Sequence, residues 1–321
     1  MNNKVFNVLI VGAGQIGSGF DYPESKLVLT HANAFTKHNG FNIIGFVDSN
    51  KLAAEKAAKK WSVLSFSSIE EAFNSSEIDV VTVATPDKSH FEILKNISFY
   101  KPLFVLAEKP LTKTIQEAYE IQSIFNSKNI PLIVNYKRRF TPEFIELKEK
   151  LDDNVFGDFI FGTSFYGKGL IHNGSHLIDL IQFLFEIEWK KIEILDKVID
   201  FEKDDPSYTF ILSDANKSIL IKALDSSNFT AFEMDLIFKK GRVRIIKLGS
   251  EIEIYSAEKN DIFPTHMTLK KVEILKTKLN SSLLYTVNHI YDHLTNGCEL
   301  VCSLSETVKL MEFINKIKNK S

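Results

Sequence analysis

The chain has 321 residues, of which 44% are hydrophobic and 25% are charged, and its formal net charge is -2. This composition is typical of soluble globular proteins, the length favours two domains, and the near balance of charge argues against nucleic acid as a partner. The apolar run Val8 to Val11 is too short for a signal peptide or a membrane span, so we expect a cytoplasmic protein without membrane contact.

The first half of the chain alternates strand-like and helical segments. The strand-like runs are Phe6–Val11, Ile43–Val47, Val80–Ala84, Phe104–Ala107 and Leu132–Asn135. Between them, Ser68-x-x-Glu71 and Thr114-x-x-Glu117 can form capping boxes that start helices. This alternation predicts an α/β domain over residues 1–125, with a parallel sheet covered by helices on both faces.

After about residue 125 the pattern changes. Helices are predicted over Pro142–Leu151, after His172, over Ser282–Leu294 and over Leu304–Lys318, where Ser303-x-x-Glu306 forms a further capping box. Between the second and third of these helices, several strands follow one another. In one of them, one face is formed by four apolar residues, Phe232, Met234, Leu236 and Phe238. Lys240-Gly241 then forms a hairpin turn into the next strand. We therefore predict an α+β domain over residues 126–321, with a mostly antiparallel sheet and helices packed on one face.

A glycine-rich loop, Gly12, Gly14 and Gly17, directly follows the first strand. Glycines at this spacing let the chain turn tightly and let backbone N–H groups approach a pyrophosphate at a helix N-terminus. Asp48 ends the second strand, where its carboxylate can accept hydrogen bonds from an adenosine ribose and repel a 2′-phosphate, or can serve as a turn residue before Lys51–Trp61. The first domain is thus predicted to have a Rossmann fold that binds NAD in preference to NADP.

The interval from Gly17 to Asp48 is longer than the about 20 residues typical of this fingerprint. The additional residues lie in Ser18–Thr30 and delay the first helix until about His31. Such a segment either closes over the nicotinamide or the substrate, or forms an exposed surface loop.

Two histidines and an aspartate, His172, His176 and Asp179, precede an apolar helical run. Their spacing suits metal ligands, catalytic groups or histidines of an ordinary core helix, because positions three and four apart share a helix face. Asn173 is a good N-cap candidate, which would place His176 in the first helical turn, where the helix dipole favours a neutral, proton-accepting ring. The helix would bury an apolar stripe of Leu177, Leu180, Ile181 and Leu184.

Together with the glycine loop, the segments "VATPDKSH", "AEKPL", "NYKRRFTPEFIELK" and "GSHLIDL" resemble the Gfo/Idh/MocA family of glucose–fructose oxidoreductases and inositol dehydrogenases. The similarity covers nearly the whole chain, and "AEKPL" is its most specific part. It implies an NAD(P)-dependent oxidoreductase acting on a sugar, cyclitol or nucleotide sugar, and a homodimer or homotetramer formed through the C-terminal sheet. A weaker likeness is to members associated with surface-polysaccharide sugars.

The resemblance also assigns site residues. It makes Lys109 the cation that stabilises alkoxide character on the reacting oxygen and His176 the base that takes the hydroxyl proton. The cofactor-binding residues would be Gly12, Gly14, Gln15, Ile16, Gly17, Asp48, Thr85, Pro86, His90, Glu108 and Lys109. Four substrate contacts are predicted: Tyr136, Arg139, Tyr166 and Asn173. Of these, Tyr136 and Arg139 follow the last Rossmann strand, at the cleft edge where open α/β sheets bind ligands. There Arg138 or Arg139 would grip a carboxylate or phosphate of the substrate, or form an ion pair with Glu143 or Glu146.

One position departs from the family pattern: His172, in "HNGSH", stands where many members carry an aspartate. Our hypothesis is that His172 takes over as a catalytic proton relay or contacts a sugar hydroxyl. The alternatives are an NAD-dependent glycosidase of the same fold, a catalytically silent dinucleotide-binding protein, and a metal hydrolase built on the histidine pair. We expect no bound metal, because the segment has no acidic base like that of HExxH.

Overall fold

The structure, a computed structural model, describes residues 4–185 and 187–320. The chain divides into two compact units, the first comprising Met1–Phe140 and Asn280–Glu312 and the second Thr141–Leu279 and Phe313–Ser321. The predicted boundary at residue 125 falls inside the first unit, because the strand after it belongs to the first sheet.

The sheet of the first unit is parallel, with strand order β3-β2-β1-β4-β5-β6. Its strands are β1 Phe6–Val11, β2 Phe41–Val47, β3 Leu64–Phe66, β4 Val80–Val83, β5 Phe104–Ala107 and β6 Leu132–Val134. The five predicted strands are confirmed within two residues at their ends. The sequence analysis missed β3, a three-residue edge strand with exposed Leu64 and Ser65, because so short a segment shows no periodicity.

The helices begin close to their predicted positions. They are α1 His31–Lys37, α2 Lys51–Trp61, α3 Ile69–Ser75, α4 His90–Ile97, α5 Ile115–Ser127, α6 Pro142–Asp152, α7 Ser175–Leu184, α8 Ser282–Asn296 and α9 Leu304–Lys318. The capping boxes at Thr114 and Ser303 are confirmed in full. At Ser68 only half of the box forms, because the Glu71 carboxylate accepts from the N–H of Ser67 instead.

The sheet of the second unit has the order β14-β13-β12-β11-β7-β10-β9-β8, and all neighbours are antiparallel except β10 and β7. Its strands are β7 Phe159–Tyr166, β8 Lys191–Glu202, β9 Asp205–Asp214, β10 Lys217–Ala223, β11 Phe232–Phe238, β12 Gly241–Ile246, β13 Glu251–Lys259 and β14 Met267–Lys276. The predicted hairpin is confirmed as the β11–β12 pair, and all four apolar residues predicted on one face of β11 are buried.

These two sheets confirm the predicted fold class, a Rossmann-type α/β unit and an α+β unit with a mostly antiparallel sheet. Across the two described ranges, no helix combines the length and the apolar character that crossing a bilayer requires.

Candidate functional site

The glycine loop after β1 leaves different amounts of space at its three glycines. Gly12 has φ +109°, and a Cβ there would lie 2.5 Å from the Ala84 carbonyl oxygen, while a Cβ at Gly17 would lie 2.1 Å from the Gly12 carbonyl oxygen. At Gly14, no atom of the described chain other than those of Gly14 and its two chain neighbours lies within 4 Å of that position. This is the arrangement that the dinucleotide fingerprint requires: a tight turn, an open backbone approach and close packing, in that order.

The loop closes with hydrogen bonds that span five residues. The N–H of Gly19 donates to the Gly14 carbonyl at 3.1 Å, and the N–H of Phe20 donates to the Gln15 carbonyl at 3.0 Å. Such wide turns are rare and are frequent at functional sites. Asp48 holds the loop from the other side, since its carboxylate accepts from the Ala13 N–H at 2.8 Å.

Asp48 also has the role of a turn residue. Its second carboxylate oxygen accepts from the N–H of Asn50 at 2.8 Å, and Asn50 in turn caps α2 by accepting from Ala53. The turn role that the sequence suggested is therefore observed, since Asp48 ties the glycine loop to the start of α2, and its half-buried side chain stays partly accessible at the end of β2.

The insertion Ser18–Thr30 is a folded loop. The buried Asp21 carboxylate accepts from the N–H of Leu29 at 2.6 Å and from the amide of Asn33 at 2.8 Å. Thr30 caps α1 by accepting from Asn33, so the predicted helix start at His31 is confirmed. Phe20, in contrast, is 59% exposed.

Thr85, Pro86 and His90 lie after β4, at the carboxyl end of the parallel sheet. His90 is fully buried, and its two ring nitrogens lie 2.7 Å from the Pro110 carbonyl oxygen and 2.9 Å from the Thr85 carbonyl oxygen. His90 therefore links the loop after β4 to the loop after β5. The Thr85 hydroxyl is buried and finds no hydrogen-bond partner among the residues that the structure describes, as expected of a group that serves a ligand.

Glu108 follows β5 and has two side-chain hydrogen bonds. Its carboxylate accepts from Asn135 at 2.7 Å and lies 2.9 Å from Nε2 of His31, whose Nδ1 lies 3.0 Å from the Thr82 hydroxyl. Burial alone would raise the pKa of Glu108, but the hydrogen bond and charge of His31, the hydrogen bond from Asn135 and the Lys109 charge outweigh it. They hold that pKa at about 2, so the carboxylate is ionised next to Lys109.

Sequence reasoning missed His31 and Asn135. His31 is fully buried at the start of α1, and it meets Glu108 across an interval of 77 residues. Asn135 follows the strand next to β5, and its backbone N–H donates to the Ala107 carbonyl. Only for Asn135 was a signal present, because the ends of neighbouring parallel strands meet at one sheet edge.

The "KRRF" segment forms a tight turn, Lys137–Phe140, after β6. Tyr136 is buried before it, and Arg138 and Arg139 are only 7% and 8% exposed. Arg139 donates to Glu306 at 2.8 Å, so the structure supplies an ion-pair partner other than the two glutamates that the sequence suggested. Lys137 is half-buried, and its pKa is lowered to about 8 by burial and by the charges of Arg138 and Lys109, against the opposing charge of Glu108.

In the second unit, the histidine segment is a wide helical turn that runs into α7. Gly169 has φ +79°, and the N–H of Gly174 donates to its carbonyl at 3.0 Å, again across five residues. Asp205, from β9, accepts from the N–H groups of Ile171 and His172 at 2.8 and 2.9 Å. A carboxylate from a distant strand therefore satisfies the backbone groups at the start of this segment.

The prediction of Asn173 as the N-cap is wrong. The N-cap of α7 is Gly174, which is itself helical, and the Asn173 amide donates to the Gly167 carbonyl at 2.9 Å. The reason is that the chain is already helical over Leu170–Gly174, so that no extended residue precedes α7. His176 is nevertheless the second residue of α7, which confirms its predicted place in the first turn, and its side chain is half-buried.

The other predicted groups of this segment lie as follows. His172 is half-buried, with its ring 4.6 Å from the Phe201 ring, and Asp179 is buried. Tyr166 is fully buried and its hydroxyl bonds to the backbone of Tyr208, so the structure gives it a packing role. All four residues of the predicted apolar stripe of α7 are buried.

The geometry gives the metal interpretation no support. Within residues 4–185 and 187–320, no three histidine, cysteine or acidic side chains are grouped so that they could hold a metal ion.

The comparisons with known proteins agree with this arrangement. Residues 6–136 match GFO_IDH_MocA, the oxidoreductase family with an NAD-binding Rossmann fold. Inositol 2-dehydrogenase of Mycolicibacterium smegmatis is 31% identical over 138 residues, covering 39% of each chain. Two solved structures have a TM-score of 0.76 over 98% of this chain and 97% of their own. They are an Agrobacterium radiobacter oxidoreductase in complex with NAD+, L-tartaric acid and magnesium, 16% identical, and UDP-N-acetylglucosamine 3-dehydrogenase GnnA of Acidithiobacillus ferrooxidans, 15% identical.

The sequence matches to three curated relatives, all described as uncharacterised oxidoreductases, span 37 to 61% of the length of those proteins. At 15 or 16% identity, the structural likeness establishes the fold alone. The family match contains the glycine loop, Asp48, Thr85 and the pair Glu108–Lys109. Residues 6–136 are therefore similar, as a unit, to the NAD-binding Rossmann domain of the Gfo/Idh/MocA oxidoreductase family.

Proposed function

We propose that the protein is an NAD-dependent oxidoreductase that interconverts a hydroxyl and a keto group on a sugar, a cyclitol or the sugar of a nucleotide sugar. The observation that carries this proposal is the glycine loop, where Gly12 and Gly17 leave no space for a side chain while Gly14 is open. The substrate class is supported by the similarity to an inositol dehydrogenase and to a UDP-N-acetylglucosamine dehydrogenase.

The residues present fit a dinucleotide. The open backbone at Gly14 suits a pyrophosphate, the accessible Asp48 carboxylate suits ribose hydroxyls, and the buried Thr85 hydroxyl has a hydrogen bond still to make. When bound, NAD+ supplies the acceptor for a hydride.

The chain's own residues would handle charge and protons. In the oxidation, the C–H bond breaks with its electron pair leaving for the cofactor, and the O–H bond breaks with its proton leaving for a base. We assign the base to His176 and the stabilisation of negative charge on the oxygen to Lys109, with His172 assisting the proton transfer. The ionised Glu108, held by His31 and Asn135, would place a fixed negative charge beside Lys109.

A fluorescence titration with NADH and, separately, NADPH tests the cofactor half of the proposal. We expect NADH to bind and NADPH to be rejected, because the Asp48 carboxylate repels a 2′-phosphate, and we expect Asp48→Ala to lose this preference. If neither nucleotide binds to protein shown to be free of retained cofactor, the glycine loop is only structural and the proposal fails.

The roles of the two histidines are tested once a screen of sugars and nucleotide sugars has identified a substrate. We expect His176→Ala to lower turnover by roughly 10²- to 10⁴-fold, the usual contribution of a general base. His172→Ala should lower it by a smaller factor, and unchanged turnover would show that His172 takes no part. NADH affinity serves as the control and should be the same in both variants and the wild type.

We also propose that the chain forms a homodimer or homotetramer through the second sheet. In support, Phe161 and Phe165 lie on one face of β7, near the middle of that sheet, and each is 38% exposed. Light scattering gives the mass of the assembly for comparison with the 36.6 kDa of one chain.

A further inference from the structure

A buried chain of side-chain contacts runs through the first unit from β4 to the loop after β5. The Thr82 hydroxyl of β4 lies 3.0 Å from Nδ1 of His31, and Nε2 of His31 lies 2.9 Å from Oε1 of Glu108. Thr82 and His31 are fully buried, while 13% of the Glu108 side chain is exposed. The chain of contacts therefore begins in the core and ends at a partly accessible carboxylate that precedes Lys109.

The chemistry of these groups determines which atoms carry hydrogen. Although burial favours the neutral acid, the hydrogen bond and charge of His31 help to hold the pKa of Glu108 at about 2, so the carboxylate is ionised. An ionised carboxylate only accepts hydrogen bonds, so Nε2 of His31 donates to it. Nδ1 then accepts from the Thr82 hydroxyl when the ring is neutral and donates to the same hydroxyl when the ring is charged. Both charge states of His31 therefore keep the contact with Glu108.

Asn135 contacts the same carboxylate oxygen. Its side-chain amide donates to Oε1 of Glu108 at 2.7 Å, and its Oδ1 accepts from the Thr286 hydroxyl of α8 at 3.3 Å. Asn135 is 4% exposed and Thr286 is fully buried, so this donor is itself fixed in the core. Two buried donors on one oxygen restrict the rotation of the Glu108 carboxylate, and Oε2 takes no part in this network.

The insertion Ser18–Thr30 sets the position of His31. The Asp21 carboxylate, which is buried, accepts from the N–H of Leu29 at 2.6 Å and from the N–H of Thr30 at 3.3 Å. Thr30 in turn caps α1, of which His31 is the first residue. The insertion thus fixes the point at which α1 begins, and with it the place of the His31 ring.

We propose that His31 is a positioning residue of the dinucleotide site, which holds Glu108 by Oε1 so that Oε2 stays available to a bound dinucleotide beside Lys109. A carboxylate whose rotation is fixed before the ligand arrives loses less conformational freedom on binding, which increases affinity. The inference rests on the proposed function, because it requires a dinucleotide at this site. His31 is fully buried, so it acts through Glu108.

The first test is a double-mutant cycle on NADH affinity, measured by fluorescence titration of the full-length protein. His31→Leu should raise the Kd for NADH by about tenfold, because Glu108 loses a donor to its charged oxygen. In a Glu108→Gln background, the same substitution should change Kd by less than about twofold, since the carboxylate through which His31 acts is absent. A role of His31 in stability alone would lower the affinity by the same factor in both backgrounds.

Matched variants separate the contact with Glu108 from other effects of replacing a histidine. His31→Gln keeps an N–H donor on a side chain of similar reach, so its Kd should stay within about threefold of the wild type. His38→Leu makes the same substitution at the C-cap of α1, where the ring lies 4.6 Å from the Tyr291 ring, and should leave the Kd for NADH unchanged.

A second ligand locates the effect within the dinucleotide. ADP-ribose lacks the nicotinamide, and Glu108 precedes Lys109, which we assign to the reacting oxygen. We therefore expect His31→Leu and the wild type to bind ADP-ribose equally well in competition with NADH. Equal losses for NADH and ADP-ribose would indicate a distorted first unit and would overturn the positioning role.

A spectroscopic measurement tests the contact in the wild-type protein without nucleotide. Proton–nitrogen correlation spectra of protein with isotope-labelled histidines show which ring nitrogen carries hydrogen, and His31→Gln identifies the signals of His31. We expect hydrogen on Nε2 of His31, and Thr82→Val should shift the Nδ1 signal, because it removes the hydroxyl and nearly keeps the volume. If His31→Leu does not fold, Thr82→Val takes its place in the cycle, with an expected increase in Kd of about threefold.

Hydrogen on Nδ1 alone, or a Kd for NADH that the variants of the cycle leave unchanged, would overturn the inference although NADH binds to the wild type. The proposed function fails on a different result, the absence of NADH binding to the wild type. That result would also remove the role of His31 in ligand binding, even with the Nε2 hydrogen in place. The two failures are therefore distinguishable.

Discussion

The glycine loop of the first unit and the histidine segment of the second unit use the same local device. Each has a glycine at positive φ, Gly12 and Gly169, and each contains a turn closed by a hydrogen bond across five residues. In each, an aspartate from another strand or strand end accepts from backbone N–H groups: Asp48 accepts from Ala13 of the glycine loop and from its own neighbour Asn50, and Asp205 accepts from Ile171 and His172 of the histidine segment.

The two differ in what they leave open. A Cβ at Gly14 would meet no described atom within 4 Å, whereas a Cβ at Gly169 would lie 2.2 Å from the Asp205 carboxylate and one at Gly174 2.7 Å from the Tyr166 ring. The first loop can therefore offer backbone N–H groups to a ligand. The second has closed its backbone and can offer only side chains, of which His172 and His176 are half-buried.

The largest expected effect is a difference in stability and NADH binding between alanine variants of two glycines in the first loop. Gly17→Ala should destabilise the first unit by about 3 kcal/mol and abolish NADH binding, because its Cβ would meet the Gly12 carbonyl oxygen at 2.1 Å. Gly14→Ala is the matched control: its unfolding free energy should stay within about 0.5 kcal/mol of the wild type, since the new methyl group meets open space.

NADH binding should nevertheless weaken by about tenfold or more in Gly14→Ala, because the methyl group occupies the approach to the backbone. Unfolding is followed by the fluorescence of Trp61, which belongs to the first unit, in a Trp189→Phe background. A stable Gly14→Ala variant with unchanged NADH affinity would mean that the open backbone at Gly14 is not the binding surface. The proposed difference between the open glycine loop and the closed histidine segment would then have no role in NADH binding.

The same contrast explains how much could be predicted from the sequence. The glycine loop could be predicted because its conformation depends on its own glycines at a fixed spacing. The five longer parallel strands could be predicted from their apolar runs. The prediction that Asn173 caps α7 is wrong, because the backbone N–H groups of this segment have their acceptor in Asp205, 33 residues after His172 on β9. His31 was missed for the same reason, since its partners Glu108 and Thr82 come from distant strands.

A smaller effect is expected when the stability lost on replacing each of the two aspartates by alanine is compared. Asp205→Ala should destabilise the second unit by about 2 to 3 kcal/mol, because it leaves the N–H groups of Ile171 and His172 without their acceptor. Asp205 itself is only 7% exposed, so water has little access to replace it. Asp48→Ala should cost the first unit only about 1 kcal/mol, because Asp48 is half-buried and Asn50 is exposed, so that water can replace the lost acceptor at the Asn50 N–H.

The control for the first variant is Asp205→Asn. Burial raises the pKa of the Asp205 carboxyl although the hydrogen bonds from Ile171 and His172 oppose the shift, so its charge is held at a cost that a neutral amide avoids. Asparagine keeps one oxygen acceptor and should therefore lose less stability than alanine. Trp189 in a Trp61→Phe background reports on the second unit, and Trp61 in the reciprocal background reports on the first. Equal losses at Asp48 and Asp205 would contradict the expected difference in stability between a half-buried and a buried aspartate.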